Sequence, residues 1–178
     1  MANPVMLVDG VSAATRQAIS RLLQARYTLP ERALAAGNVN AIRTTFKGPM
    51  CGRPERFTKE DIRIFQEAMA RPGALTGGIN YYRAQIGRGG FRRITARGFP
   101  VIEVPTMIIW GEDDPVLVPS TIDRAGELVK NLTLRFMPGI GHWVQQEAPE
   151  EVNEMITAWL AGQPVPGSPT LSPGHAGD

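Results

Sequence analysis

The chain has 178 residues with a net charge of +2, and 43% of them are hydrophobic against 20% charged. That is one domain's worth of core with an ordinary globular composition, and no apolar run approaches the roughly 18 residues of a membrane span. A single cysteine, Cys51, excludes an intrachain disulfide, and one cysteine with two histidines argues against a His/Cys zinc site; no metal and no cofactor are expected.

From Ser12 to Tyr27, the residues Ile19, Leu22 and Leu23 recur at helical spacing. Pro30 ends or restarts that helix, and Leu34 to Phe46 is expected to form another. Gly48-Pro49 and Gly52-Arg53-Pro54 mark a loop. Thr58 is a suitable N-cap, with Asp61 three residues on in a capping-box position, and Ile62, Phe65 and Met69 share one face of the helix that follows. Arg71-Pro72-Gly73 stops it. The next helix places Leu75, Ile79, Tyr82 and Ile86 on one stripe and ends at Gly87, Gly89 and Gly90.

The character changes after Pro100. Val104 to Trp110 is a nearly continuous apolar run, the mark of a strand buried on both faces, and it ends in Gly111-Glu112-Asp113-Asp114-Pro115. A helix is expected over Ser120 to Lys130, with Ile122, Ala125, Leu128 and Val129 inward, and a second strand over Thr133 to Met137. Pro149 suits a first helical turn, and Val152, Met155, Ile156, Trp159 and Leu160 supply the buried face of the last helix, which Gly162 stops. The expected class is therefore α/β, with a helical region over 1–99, a β-α-β-α unit with parallel strands over 100–162, and a Pro/Gly/Ser-rich disordered tail over 163–178. Two strands do not make a stable sheet alone, so the first needs a further neighbour.

Charge divides along the same line. Residues 1–100 hold 16 Lys and Arg against 6 Asp and Glu, whereas residues 101–178 hold 3 against 11. Arg88, Arg92, Arg93 and Arg97 form the densest patch. Aromatic interleaving of the kind a single-strand nucleic-acid binder uses is missing, so a solvated basic region is expected rather than a nucleic-acid surface. The N-terminus, MANPVMLVDG, lacks the basic flank and long apolar stretch of a signal peptide, and a cytoplasmic setting without membrane association is expected.

In open parallel sheets, ligands collect at the carboxyl ends of the strands. Asp113 and Asp114 follow the first strand and His142 follows the second. Adjacent parallel strands would bring an aspartate and the histidine to one edge, where the carboxylate can orient the imidazole as a general base.

The segments Val104-Pro-Thr-Met-Ile-Ile-Trp-Gly-Glu-Asp-Asp-Pro115 and Gly141-His-Trp-Val-Gln-Gln-Glu-Ala-Pro-Glu150 resemble the C-terminal part of soluble epoxide hydrolases of the α/β-hydrolase superfamily. The resemblance covers roughly residues 15 to 160 and implies a partial α/β-hydrolase fold in which a helical cap precedes the last strands and helices. It assigns the acid to Asp114 rather than Asp113, and the base to His142. Arg71 to Arg83, with Asn80-Tyr81-Tyr82-Arg83, is similar to the end of the family's cap. That similarity implies a tyrosine at Tyr82 that donates a hydrogen bond to the oxyanion of an opening epoxide. Periodicity alone favours Tyr82 as a core aromatic instead. Tyr27, in Tyr27-Thr-Leu-Pro30-Glu31, stands where the family carries a second cap tyrosine, but the residues between the tyrosine and the Pro-Glu pair are lost.

The family's HG-x-P turn and its nucleophile aspartate in G-x-D-x-G occur nowhere in the 178 residues. The expectation is thus an epoxide hydrolase-like chain, truncated and inactive alone, that would act on an epoxide only if complemented by the nucleophile-bearing half. Two alternatives stand beside it. One is a non-catalytic remnant that associates through an exposed sheet edge. The other is a different α/β-hydrolase such as a haloalkane dehalogenase, from which Tyr82 would distinguish it.

Overall fold

The computed structural model describes residues 29–86 and 99–172. The helix expected over 12–27, Tyr27 itself and the arginine patch at 88–97 lie outside the described residues. The first helix, α1, spans Leu29–Lys47 but is broken at Ala36–Val39, where Gly37, Asn38 and Val39 take left-handed backbone angles. Glycine and asparagine tolerate that region, whereas a β-branched valine at φ +54° is strained. Burial of the Val39 side chain and a bond from Gln66 Nε2 to the Asn38 carbonyl hold the break in place. The second half of α1 leads to a 3-10 turn over Pro54–Arg56.

Helix α2, Lys59–Ala70, starts at the capping box foreseen from Thr58 and Asp61, with the Thr58 hydroxyl accepting from the Asp61 amide and the Asp61 carboxylate accepting from the Thr58 amide. Helix α3, Ala74–Ile86, buries Ile79 but leaves Tyr82 45% exposed, so Tyr82 is not a core aromatic. Glu31 of α1 and Arg83 of α3 form a largely buried ion pair at 2.6 Å that ties these two helices together.

The second part is a two-stranded parallel sheet of β1, Thr106–Gly111, and β2, Leu132–Met137, paired from Thr106 opposite Leu132 to Gly111 opposite Met137. Between them, the expected helix over 120–130 is reduced to a 3-10 turn at Pro119–Ile122 and a single turn, α4, at Ala125–Leu128. The chain must already be extended at Val129, which bridges to Ile102, so no room remains for a longer helix. A one-turn helix α5, Val144–Glu147, and the last helix α6, Pro149–Leu160, follow β2.

Two expectations of burial are corrected. Val104 is 66% exposed and β1 is only half-buried, because β2 is its one strand partner among the described residues. On α6, Val152 and Met155 are buried but Ile156 and Leu160 are exposed, since only the inner half of the apolar stripe meets Met137, Ile140 and Val165. The supposedly disordered tail is corrected as well for its described part, 163–172. Arg135 of β2 donates to the carbonyls of Val165 and Pro166, the Phe136 amide donates to Ser168, and Ser172 donates to Glu112. These bonds fasten the segment along the outer edge of β2.

The two parts share a core boundary. Phe46, Phe57 and Ile62 form the helical cluster, and Trp143 of the second part packs into it with its ring 4.7 Å from that of Phe46. Salt bridges Arg53–Glu151 and Arg56–Glu150 flank this contact. None of the described helices is long and apolar enough to cross a membrane.

Candidate active site

The carboxyl ends of β1 and β2 are zipped together beyond the strands. Glu112 donates its amide to the Met137 carbonyl at 3.1 Å, and Asp113 donates to the Ile140 carbonyl at 3.0 Å. Gly111 makes this approach possible, since a Cβ there would lie 2.3 Å from the Gly141 carbonyl oxygen and 2.5 Å from that of Ile140. The two loops therefore run side by side and deliver Asp114 and His142 to the same point.

Asp114 is buried, whereas Asp113 is exposed. One carboxylate oxygen of Asp114, Oδ1, accepts the amides of Val116 at 2.8 Å and Leu117 at 3.0 Å, which fixes the group in an Asx turn. The other, Oδ2, lies 2.8 Å from His142 Nδ1. An acceptor-only carboxylate at that distance selects the tautomer with hydrogen on Nδ1 and leaves the Nε2 lone pair to take a proton. The imidazole side chain retains 23% exposure and stands edge-on to Trp143, 4.9 Å between centroids. An oriented, partly accessible imidazole beside a desolvated carboxylate can deprotonate water.

Of the four residues singled out from sequence, the structure brings together Asp114 and His142. Tyr82 sits on α3 with its ring edge-on to Tyr81 at 5.5 Å, and its ring contact is with Tyr81 rather than with His142, whose ring meets Trp143. Tyr27 is outside the described residues.

Sequence reasoning passed over Glu147, the carboxylate buried most completely in the described chain, which accepts four backbone amides around His142. Its place at the junction of α5 and α6, in a segment otherwise apolar on its inner side, was the available signal. Cys51 lies beside it, and burial together with the Glu147 charge pushes its thiol up to about 11.

The model of the alpha/beta hydrolase family matches residues 2–155. Epoxide hydrolase 2 of Caenorhabditis elegans is 28% identical over 141 residues, which cover 78% of this chain and 38% of that protein. Epoxide hydrolase 3 of Mus musculus is 30% identical over 138 residues, covering 74% and 35%. A crystal structure of a Bacillus megaterium epoxide hydrolase in complex with an inhibitor superposes with a TM-score of 0.67 at 21% identity, over 89% of this chain and 56% of that one. The chain spans less than two-fifths of the length of these two curated relatives. It belongs to the alpha/beta hydrolase family and is similar to its epoxide hydrolases.

Proposed function

We propose that this member of the alpha/beta hydrolase family carries the acid–base half of an epoxide-hydrating enzyme, with His142 as the base, Asp114 as its orienting acid and Tyr82 as a donor to the epoxide oxygen. The observation that carries the reading is the 2.8 Å contact between His142 Nδ1 and the buried Asp114 carboxylate at the ends of adjacent parallel strands. Similarity to the epoxide hydrolases narrows the substrate class. In the proposed cycle, an aspartate carboxylate outside these residues attacks an epoxide carbon. The C–O bond breaks, and the oxygen takes a proton from a phenol, Tyr82 and in second place Tyr27. His142 Nε2 then removes a proton from water, and the resulting hydroxide attacks the ester carbonyl. Collapse of the tetrahedral adduct expels the second oxygen, which takes the proton held on His142 Nε2 to complete the vicinal diol, and the proton left on the carboxylic acid passes to the phenolate, restoring the aspartate carboxylate and the tyrosine. Helices α1 to α3 would belong to the cap over this site, and the edge of β1 that no described strand pairs is where the nucleophile-bearing half would join the sheet.

The 178 residues alone lack the nucleophile motif, and removal of a covalent step leaves little turnover. With an aryl epoxide, the isolated chain is expected to give no diol above its His142→Ala variant. Joined to a polypeptide that carries HG-x-P and G-x-D-x-G, the chain should form diol in a His142-dependent way. Diol formation by the isolated chain that His142→Ala abolishes would refute the need for a nucleophile. A joined polypeptide that is inert toward epoxides would refute the substrate class. Exposure of Val104, just before β1, and the edge of β1 that no described strand pairs favour a second reading, a non-catalytic module that self-associates there. It requires concentration-dependent oligomers in sedimentation, removed by a lysine at Val104.

A further inference from the structure

We propose that Glu147 is a positioning residue for His142, acting by clamping the backbone on both sides of the imidazole rather than by touching the ring. The inference rests on the reading of His142 as the base. Glu147 is fully buried. Its Oε2 accepts the amides of Gly52 at 2.7 Å, Arg53 at 3.0 Å and Gly141 at 2.9 Å, and its Oε1 accepts that of Trp143 at 3.0 Å. The residues before and after His142 are thus bound to one side chain. The amide between them, that of His142, donates to the Met50 carbonyl at 2.9 Å. Of these three consecutive amides, those of Gly141 and Trp143 are held by the Glu147 side chain a few residues on, and that of His142 by a carbonyl of the distant 50–53 loop, to which Glu147 is bonded as well.

The chemistry of the clamp requires an anion. An ionised carboxylate offers only acceptors, and here Oε2 receives three amides and Oε1 one, with the Cys51 thiol bonded to the same group. A carboxamide of the same shape would turn two hydrogens toward at least one of them. The surrounding backbone is shaped to admit the group. A Cβ on Gly52 would lie 2.5 Å from the Gly139 oxygen and 2.8 Å from the Gly141 nitrogen, and one on Gly141 would lie 2.7 Å from both the Gly52 nitrogen and the Met50 oxygen. Two glycines therefore let the 50–53 loop and the histidine loop touch, and the carboxylate rivets them. The position of His142 is in this way set by the helical part of the chain as well as by β2.

The test uses the 178-residue chain with labelled histidine and backbone amides. Its second histidine, His175, serves as an internal reference. In the wild type, the His142 ring nitrogens should show a single Nδ1–H tautomer. In Glu147→Gln, the β1–β2 amides should keep their protection. The amides of Gly52, Arg53, Gly141 and Trp143 should exchange about tenfold faster or more, the loss of one or two net hydrogen bonds, and His142 should become a mixture of tautomers. A single Nδ1–H tautomer in Glu147→Gln, with Gly141 and Trp143 protected as in the wild type, overturns the proposal. Asp114→Asn separates the two layers of the argument. If it leaves the tautomer unchanged, the Asp–His pairing itself fails. If it changes the tautomer and Glu147→Gln does not, the clamp alone fails. Should Glu147→Gln not fold, scalar couplings across the hydrogen bonds from the Gly52 and Gly141 amides to the Glu147 carboxylate carbon decide the question in the wild type. Their presence supports the clamp and their absence overturns it.

Discussion

Asp114→Asn changes one atom and is expected to move a proton across the His142 ring. The side chain has two unequal ends. Oδ1 faces two backbone donors, Val116 and Leu117, while Oδ2 faces the single nitrogen Nδ1 of His142. An asparagine must place its NH2 at one end. Set against the two amides, it would leave two half-buried donors facing another donor, at about 1–3 kcal/mol each. Set against His142, it meets a nitrogen that can become an acceptor by transferring its hydrogen to Nε2. Even a preference of about 2 kcal/mol, the lower bound, corresponds to a roughly thirtyfold bias. The variant should therefore hold His142 almost wholly as the Nε2–H tautomer, with no lone pair left for water. Nitrogen NMR of the labelled ring reads this directly, as an exchange of the Nδ1 and Nε2 signatures between wild type and variant. In a complete enzyme the same change should lower kcat on the order of 10⁴-fold, as amidation of the acid does in other triads. An unchanged tautomer in Asp114→Asn would refute the reasoning, because it would mean that the carboxylate does not orient the ring.

Cys51 should be slow to alkylate. With its thiol pushed from 9.0 up to about 11, by burial first and the Glu147 charge second, the thiolate fraction at pH 8 falls roughly a hundredfold. The native rate should keep rising with pH beyond 9, whereas the unfolded chain levels off near that value. Since the folded-state value is the raised one, the associated stability is complete below pH 9 and is lost as pH climbs toward 11. A native rate profile that levels off near 9 would contradict the burial. Gly111→Ala would drive its methyl against the carbonyls of Ile140 and Gly141, which are backbone and cannot rotate away. Strain of about 1–3 kcal/mol should lower the melting temperature and separate Asp114 from His142. An unaltered melting curve with a single Nδ1–H tautomer would count against the close approach of the two loops.

What could be foreseen from sequence was local or followed from topology. The Thr58–Asp61 capping box is a four-residue affair and appears as expected. The α/β class with parallel strands also stands, since a short apolar strand, a connection and a second strand leave a parallel pair as the economical outcome. Burial was less legible, because it depends on neighbours. Val104, Ile156 and Leu160 are apolar in pattern yet exposed, and Arg135 gathers a Pro/Gly-rich segment that composition alone assigns to disorder. The break in α1 was hidden for a similar reason, since Gly37 and Asn38 permit a left-handed turn, while only packing around Val39 makes the chain take it.

The same distinction separates the two carboxylates around His142. Strand order brings an aspartate beside His142, since whatever follows β1 must lie beside whatever follows β2, and the family resemblance singled out Asp114 over Asp113. Glu147 could not, because its donors come from Gly52, Arg53, Gly141 and Trp143, which no sequence period relates. Yet the second group is no less specific. Asp114 fixes which nitrogen of His142 holds the hydrogen, and the clamp on Gly141 and Trp143 fixes where the ring stands. A carboxylate that selected the tautomer on a loose loop would leave Nε2 unaimed, and a rigid loop without Asp114 would aim the wrong nitrogen. The aim of a proposed base at His142 depends on both, so the loop carrying Gly52 and Arg53 bears on the site through the backbone amides it gives to Glu147.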